Sequence, residues 1–458
     1  MKKLLIIFGA TGDLTSRFLM PALCELHAGG RLPEGFSVLG IAREEWDSTS
    51  FRSHIVQRSR PFVPQHLLSG DFLERLHYAT ADVSNEEAVL AALGTVREPA
   101  VFYLALPPAL FTPLVRALAR LAPPAGSAFV FEKPFGDTLS AARSLNLLLR
   151  QHFAEESVYR MDSFLGEQTV HNLLGLRFMN RIFSPLWSRE HIERVEICWD
   201  ETLTLEGRAV YYDRAGALKD MIQNHLLQLM CIVAMEAPES LAEGDFRGRK
   251  VEVLQQVRRL SAVEVRQGTV RGRYGAGQIG ARQVPAYRDE NGVDPARDTE
   301  TFASVELFID SERWRGVPFL LRTGKALGKD RMEIVIRFRG EPQRLFSIGG
   351  EALAHNVLRL GLNPDRISLG VNIAGRCDAC PPRYVELDTD LVEQELSPYS
   401  RLLFDVFRGR QTNFVRWDEA EACWEIVEPI LRGWLEGAVP LQEYPAGSDG
   451  PAQTPERS

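Results

Sequence analysis

The feature that most constrains the fold is a glycine turn near the amino terminus. Residues 3–8 form a short, largely apolar run that predicts a buried strand, and residues 16–30 carry apolar side chains at helical spacing. Between them lies Gly9-Ala10-Thr11-Gly12-Asp13-Leu14. Glycines permit a tight turn and a close backbone approach, and a helix amino terminus can hold a pyrophosphate. At the start of a βαβ unit this loop predicts dinucleotide binding, although a simple strand-to-helix turn would give the same pattern.

The first third of the chain has the texture of a parallel sheet. Continuous apolar runs at residues 36–42, 100–106 and 128–132 alternate with helical patterns. Such runs are typical of strands that are covered on both faces by helices. We therefore expect an α/β Rossmann-type N-terminal domain over residues 1–165.

The texture changes after about residue 190. Apolar and polar residues then alternate as in half-buried antiparallel strands, at residues 192–203, 251–267, 301–310 and 331–340. Residues 217–235 predict a long amphipathic helix, and residues 417–435 predict another helix. We expect a larger α+β C-terminal domain with a mostly antiparallel sheet over residues 166–445, followed by a flexible polar tail over residues 446–458.

Composition excludes several classes of function. The 458 residues carry a net charge of -8, which argues against a nucleic-acid partner. No apolar run approaches the roughly 18 residues of a membrane span, and the apolar stretch at the amino terminus is too short for a signal peptide. Six scattered cysteines suit a reducing cytoplasm. Cys377 and Cys380 form a lone CxxC pair, which is insufficient for a metal site, so we expect no metal.

The end of the second predicted strand indicates the cofactor. Arg43 follows this strand and favours NADP, because arginine accommodates a 2′-phosphate. Glu44 and Glu45 come next and would weaken that preference if either points inward. The alternative is a surface arginine paired with these acids. We expect NADP as the cofactor, with NAD as the second choice.

Two more strand ends carry candidate ligand contacts. Leu106 and Pro107 lie in LALPP, and Glu132 and Lys133 lie in EKPFG. Because ligands of parallel sheets bind at the carboxyl ends of the strands, we expect all four residues near the cofactor. Lys133 is also a candidate substrate contact, and a simple loop lysine is its other interpretation.

Acid–base chemistry is suggested by His225. Asp220 lies on the same predicted helix, about 140° away in an α-helix, so the two side chains would have to flank a shared site. A general base needs a partner that orients it, and Asp162, in the stretch YRMDSFLGEQ, is a candidate. A lone helix histidine is more often structural, so spacing alone does not decide.

Taken in order, these motifs resemble the glucose-6-phosphate dehydrogenase family nearly end to end. The resemblance is carried by GATGDL, LGIAR, FYLALPP, FEKPFG, RMDSFLGEQ, LRFMNRIFSPLW, EGRAVYYDRAGALKDMIQNHLLQLMCIVAMEAP, RWRGVPFLLRTGKALGKDR and EYPAGSDGP. It implies oxidation of a sugar C1 hydroxyl to a 1,5-lactone, with hydride transfer to NADP or NAD. It also implies a homodimer or homotetramer formed through the antiparallel sheet. The oxidoreductases related to glucose–fructose oxidoreductase share a Glu-Lys-Pro motif but fit IQNHLLQ and RTGKALGK poorly.

The resemblance also implies roles for individual residues. His225 matches the base that takes the C1 hydroxyl proton, and Asp162 matches the carboxylate that orients it. Glu201 and Asp220 match carboxylates that bind sugar hydroxyls. The matching substrate lysines are Lys133, Lys325 and Lys329. The matching cofactor contacts are Gly9, Thr11, Gly12, Leu14, Arg43 and Pro107, and the loop residue Asp13 is expected beside them.

One stretch departs from the family pattern. The family usually has Arg-Ile-Asp-His-Tyr-Leu-Gly-Lys, whose His, Tyr and Lys hold the sugar phosphate, whereas this chain has Ser163, Phe164 and Glu167. Replacing a cation by an anion near a phosphate costs about 2–4 kcal/mol, even after screening. Three hypotheses follow: a glucose-6-phosphate 1-dehydrogenase with a rebuilt pocket that includes Ser163 and Glu167, the same chemistry on an unphosphorylated or amino sugar, or a non-catalytic dinucleotide-binding homologue.

Overall fold

The computed structural model describes residues 1–68, 70–240, 242–340, 353–375, 382–391 and 394–452. Over these residues the chain divides into two compact units. The first contains Met1–Glu167, Pro238–Gly248 and Gln394–Glu421. The second contains Gln168–Ala237, Arg249–Glu393 and Ala422–Ser458.

The first unit is built on a six-stranded parallel sheet. Its strands are β1 (Leu4–Phe8), β2 (Ser37–Ala42), β3 (Leu76–Thr80), β4 (Ala100–Leu104), β5 (Ala128–Glu132) and β6 (Val158–Met161). The strand order is β3-β2-β1-β4-β5-β6, and every neighbouring pair is parallel. This is the doubly wound order of dinucleotide-binding folds, in which the order reverses between β1 and β4.

Helices cover both faces of this sheet because successive apolar residues point to opposite sides. Leu5 and Ile7 belong to one buried cluster and Ile6 and Phe8 to the other. The helices of the unit are Thr15–Leu19 (a π-helix), Met20–Ala28, Ser48–Ser59, Gly70–Leu73, Glu86–Leu93, Phe111–Leu121, Leu139–His152 and Pro398–Arg408. Its 3₁₀ turns are Gln65–Leu67, Pro108–Leu110, Glu155–Ser157 and Ser163–Gly166.

The second unit contains a nine-stranded sheet. Its strands are β7 (Ile192–Asp200), β8 (Thr269–Gly275), β11 (Phe302–Phe308), β12 (Pro318–Gly324), β13 (Arg331–Phe338), β14 (Val357–Leu362), β15 (Asp365–Ile373), β16 (Arg383–Asp390) and β17 (Leu441–Pro445). The order is β16-β15-β14-β13-β7-β12-β11-β8-β17. Only the β7–β12 and β8–β17 pairs are parallel among these described strands, so the expected mostly antiparallel sheet is confirmed. The hairpin of β9 (Gly277–Ile279) and β10 (Arg282–Val284) stands apart.

Helices of the second unit include Gln168–Met179, Ala209–Ala217, Leu218–Leu226 (a π-helix), Leu227–Ala234 and Ala262–Gly268. Two longer helices, Glu243–Gln256 and Trp417–Leu435, begin in the first unit and end in the second. The 3₁₀ turns of the second unit are Ser184–Leu186 and Tyr287–Asp289.

The predicted strand at residues 251–267 is wrong. The chain there completes the helix Glu243–Gln256 and then forms the helix Ala262–Gly268. The second helix begins with a capping box, in which Ser261 and Glu264 each bond the backbone N–H of the other. This local signal outweighs the alternation of apolar residues that resembled a strand.

The helical segment predicted at residues 217–235 is present but is not amphipathic. Residues 220–234 are all buried, so no polar face reaches solvent. The segment combines the π-helix Leu218–Leu226 with the α-helix Leu227–Ala234. Polar side chains on the π-helix are therefore held inside the unit, where each needs a hydrogen-bond partner to offset the loss of water.

Candidate active site

The glycine loop occupies the turn between β1 and the helical residues 15–28. Gly9 has φ +78°, and a Cβ atom there would collide with the carbonyl oxygen of Ala105. The Gly9 N–H donates to Ile41 O at 2.9 Å, and the Gly12 N–H donates to Gly9 O at 3.0 Å. The loop thus lies at the switch point between β1 and β4, where a dinucleotide pyrophosphate approaches the backbone. This bare, tightly turned backbone fits the expected cofactor.

The side chain of Thr11 in this loop is hydrogen-bonded to Glu44, the residue after Arg43. The Thr11 hydroxyl donates to Glu44 Oε2 at 3.0 Å. Arg43 is 86% exposed, and its Nε lies 3.9 Å from Glu44 Oε1. The acid therefore points inward and the arginine outward. The loop residue Asp13 is half exposed and forms ion pairs with Arg17 and Arg58.

The end of β4 supplies the next predicted cofactor contacts. The Ala105 N–H donates to Phe8 O at 3.0 Å, which continues the parallel pairing with β1 past the end of β4. Leu106 is half-buried and Pro107 is exposed. Both follow the strand at its carboxyl end, beside the glycine loop.

The end of β5 contains a buried carboxyl group. Glu132 is 6% exposed and accepts a short hydrogen bond from the Tyr103 hydroxyl, and Tyr399 lies 3.5 Å from the same oxygen. Burial raises the pKa of Glu132 to about 7; the Asp162 carboxylate acts in the same direction, whereas the Tyr103 hydrogen bond and the Lys133 charge oppose it. Lys133 is half-buried and precedes a cis peptide bond to Pro134.

Asp162 directly follows β6 and begins the 3₁₀ turn Ser163–Gly166. Its Oδ1 atom accepts the Phe164 N–H at 3.0 Å. A Cβ at Gly166 would lie 2.6 Å from Pro398 O, so glycine is required there. Asp162 and Phe164 are buried. Ser163 and Glu167, the other positions that depart from the family pattern, are half-buried.

The second unit brings Asp220 and His225 to one face of the π-helix Leu218–Leu226. The expectation that they lie about 140° apart is wrong, because it assumed α-helical geometry. In a π-helix residue i bonds residue i+5, so positions five apart lie one above the other. Asp220 is 7% exposed and His225 is 4% exposed. Tyr211 donates to Asp220 Oδ1 at 3.1 Å.

Two predicted substrate residues form an ion pair at the ends of β7 and β12. Lys325 Nζ lies 2.6 Å from Glu201 Oε2, and both side chains are largely buried. The Glu201 N–H donates to Gly324 O at 2.8 Å, which aligns the two strand ends. Lys329 is exposed four residues further along.

A buried charge cluster on the same sheet was not predicted from the sequence. Asp200 accepts Arg322 Nε at 3.1 Å and Arg331 Nη2 at 3.0 Å. The three residues lie on the adjacent strands β7, β12 and β13. Sequence alternation marks them as one face, but strand order was needed to bring them together. Tyr103, Tyr399 and Tyr211 were also not predicted, because only the tertiary structure brings their hydroxyls to Glu132 and Asp220.

Other expectations concern metals and membranes. No group of three or more metal-ligating side chains is found in the described ranges. Cys377 and Cys380 lie outside the described residues. Among the helices that the structure describes, none has the length and apolarity to cross a membrane. The tail prediction stays a prediction: residues 446–452 are described, and residues 453–458 are not.

Comparisons with protein families match almost the whole chain. Residues 6–172 match the family described as "Glucose-6-phosphate dehydrogenase, NAD binding domain". Residues 174–457 match "Glucose-6-phosphate dehydrogenase, C-terminal domain". The glucose-6-phosphate 1-dehydrogenase of Gluconobacter oxydans is 40% identical over 466 residues, covering 98% of this chain and 94% of the relative. The Bacillus subtilis enzyme is 35% identical over 470 residues, covering 99% and 96%.

Solved structures agree. A glucose-6-phosphate dehydrogenase in complex with its substrate glucose-6-phosphate has a TM-score of 0.86 at 30% identity, covering 100% of this chain and 96% of its own. The glucose-6-phosphate 1-dehydrogenase from Mycobacterium avium has a TM-score of 0.85 at 30% identity, covering 98% and 96%. The match of fold therefore extends over both units.

Proposed function

The chain belongs to the glucose-6-phosphate dehydrogenase family, and on that premise we propose that it oxidises the C1 hydroxyl of glucose 6-phosphate to the 1,5-lactone with NADP as cofactor. It is an NAD(P)-dependent dehydrogenase of carbohydrate metabolism, assigned to the pentose phosphate pathway. The observation that carries the proposal is the buried pair Asp220 and His225 on one face of a π-helix. π-Helical turns are rare in proteins and frequently lie at functional sites.

We assign the proton transfer to His225. Its imidazole takes the proton of the C1 hydroxyl. A nicotinamide cofactor would, when bound, supply the acceptor for the C1 hydrogen, which is transferred as hydride. The electron pairs balance: the O–H pair that remains on oxygen forms the second C1–O bond of the lactone carbonyl, and the C1–H pair leaves with the hydride. By the family resemblance, Asp162 stabilises the imidazolium that forms. Its buried carboxylate is held by the Phe164 N–H, which restricts its orientation.

The remaining predicted residues bind rather than react. Asp220 accepts a hydrogen bond from the Tyr211 hydroxyl, and by the family resemblance it binds a sugar hydroxyl. Glu201 and Lys325 hold each other and offer an acceptor and a donor at one place. Lys133 and Lys329 supply positive charge for the phosphate. The glycine loop with Gly9, Gly12 and Leu14 would hold the pyrophosphate of the cofactor, and Asp13, Leu106 and Pro107 would complete the surroundings of that group.

The negative charge of Glu167 allows a test of whether the substrate carries a phosphate. The relatives quoted above are all named glucose-6-phosphate 1-dehydrogenases, which favours the phosphorylated sugar over glucose or an amino sugar. Turnover should be measured with glucose 6-phosphate, glucose and glucosamine. For Glu167→Lys we expect the KM for glucose 6-phosphate to fall by about tenfold or more, because a repulsion becomes an attraction. Glu156→Lys makes the same charge change at an exposed position and controls for it. Preference of the wild type for glucose or glucosamine would overturn the substrate assignment.

His225→Asn tests the base. We expect kcat for glucose 6-phosphate to fall by about a hundredfold or more, with cofactor affinity unchanged. His191→Asn is the control, because that histidine is exposed in the same unit. Equal turnover in the two variants would remove the base assignment from His225. Absence of turnover in the wild type with all three sugars would instead favour a non-catalytic dinucleotide-binding protein.

We also propose a cytoplasmic homodimer or homotetramer. The four described cysteines, Cys24, Cys198, Cys231 and Cys423, are buried free thiols, which suits a reducing compartment. The edge strand β16 exposes Leu387 to 59% and also exposes Tyr384, as a strand surface awaiting a partner does. Light scattering after size exclusion would give the mass, and a monomer would contradict the assembly.

A further inference from the structure

Glu44 lies where the cofactor's adenosine ribose is expected, at the end of β2. Its Oε2 atom accepts the hydroxyl hydrogen of Thr11 at 3.0 Å. Thr11 belongs to the glycine loop between β1 and the first helix. One hydrogen bond thus joins the residue after the second strand to the phosphate-binding loop.

The backbone of Glu44 is held in place from the neighbouring strand. Its carbonyl oxygen accepts the Tyr78 hydroxyl at 2.8 Å and the Thr80 hydroxyl at 2.9 Å, and both residues belong to β3. The carboxylate is therefore carried by a fixed main chain and aimed at the loop. Such support from surrounding hydrogen bonds is what preorganises a specificity residue.

Arg43, by contrast, is not arranged to receive an anion. Its side chain is 86% exposed, whereas that of Glu44 is 32% exposed. In dinucleotide-binding folds an acid at the end of the second strand accepts the ribose 2′-hydroxyl of NAD, and a nearby arginine accommodates the 2′-phosphate of NADP. Here the acid lies against the loop and the arginine extends into solvent.

We propose that Glu44 is a cofactor-specificity residue that lets this enzyme use NAD alongside NADP. Held by Thr11, it accepts the 2′-hydroxyl of NAD without moving. The 2′-phosphate of NADP carries about two negative charges, so Glu44 must leave Thr11 before Arg43 can turn inward to it. The proposal rests on the proposed function only for the class of cofactor.

The test is calorimetric titration of NADP⁺ and NAD⁺ into the wild type and Glu44→Gln, without sugar. The amide keeps an oxygen for Thr11 but carries no charge. We expect the Kd for NADP⁺ to fall by about tenfold, and the Kd for NAD⁺ to rise by about threefold as a charged acceptor is lost.

Glu45→Gln is the matched control. Glu45 is the next residue, exposed, and its side chain makes no hydrogen bond or ion pair within the described part of the chain. Both Kd values should stay within about twofold of the wild type there. A Kd ratio of NADP⁺ to NAD⁺ that is the same in Glu44→Gln as in Glu45→Gln would overturn the proposal. So would a wild type that binds NADP⁺ while showing no measurable affinity for NAD⁺.

These outcomes are separate from those that test the proposed function. If glucose 6-phosphate is not oxidised with either cofactor, the substrate assignment fails, and the titrations still report on Glu44. If glucose 6-phosphate is oxidised while Glu44→Gln leaves the Kd ratio unchanged, the role of Glu44 alone is lost.

Discussion

Relative to the wild type, the Glu132→Gln variant should gain more stability at high pH than at low pH. Glu132 is buried at the end of β5, and burial raises its pKa from 4.5 to about 7. The folded protein therefore holds a proton that the unfolded chain releases between these two pH values. Because the unfolded state binds fewer protons there, the free energy of unfolding falls as the pH rises through this window.

The magnitude follows from the two pKa values. A rise from 4.5 to about 7 corresponds to about 3 kcal/mol of destabilisation, fully present above pH 7 and absent below about pH 4.5. The amide of the Glu132→Gln variant would stay neutral throughout, and its oxygen could still accept from Tyr103. Any cost of burying the new amide N–H₂ is the same at every pH. The difference between variant and wild type should therefore grow by about 3 kcal/mol from pH 4.5 to pH 8.

Urea unfolding at pH 5 and pH 8 measures this difference. At pH 5 little of the destabilisation by Glu132 has developed. The stability difference between variant and wild type should therefore be about 2–3 kcal/mol larger at pH 8 than at pH 5. Glu34→Gln, at an exposed position, is the control and should show the same stability difference at both pH values. Tyr103→Phe removes a hydrogen bond that lowers the pKa of Glu132, so it should lose more stability at pH 8 than at pH 5. An effect of Glu132→Gln that does not depend on pH would refute the reasoning.

Two further substitutions probe the two units separately. Gly9→Ala should weaken NADP⁺ binding by more than about tenfold and lower the free energy of unfolding by about 1–3 kcal/mol, because the new Cβ meets Ala105 O at a positive φ. Calorimetry would measure the affinity and urea unfolding the stability. An unchanged affinity would contradict the prediction. Asp200→Asn should cost about 3–5 kcal/mol in urea unfolding, because Arg322 and Arg331 lose their shared buried carboxylate; a loss below about 1 kcal/mol would show that water already screens the cluster.

The parallel sheet was predictable because its strands are buried on both faces. Strands expected at residues 36–42 and 128–132 are observed as Ser37–Ala42 and Ala128–Glu132. β3 was not predicted, because Leu76–Thr80 is a partly exposed edge strand without a continuous apolar run. Burial on both faces leaves a signal in the sequence that burial on one face of an edge strand does not.

Antiparallel and helical regions were harder to separate in the second half. Alternating apolar residues at 251–267 resembled a strand, although the capping box of Ser261 and Glu264 was present in the sequence. The π-helix Leu218–Leu226 has no comparable signal. Its geometry depends on what the rest of the unit packs around it, so the relative direction of Asp220 and His225 could not be obtained from their spacing.

Candidate site residues of the first unit share a topological cause that those of the second unit lack. Gly9, Leu106 and Lys133 each follow a parallel strand, and a parallel sheet brings the carboxyl ends of its strands to one edge. The direction of a side chain just beyond a strand is not set by that rule. Arg43 and Glu44 are adjacent, and the sequence does not show which of them faces the loop. In the structure it is Glu44, because its carboxylate accepts the Thr11 hydroxyl. The position of these residues at the edge of the sheet was therefore predictable from the sequence pattern. The charge that faces the cofactor was not, because it depends on one hydrogen bond between residues distant in the sequence.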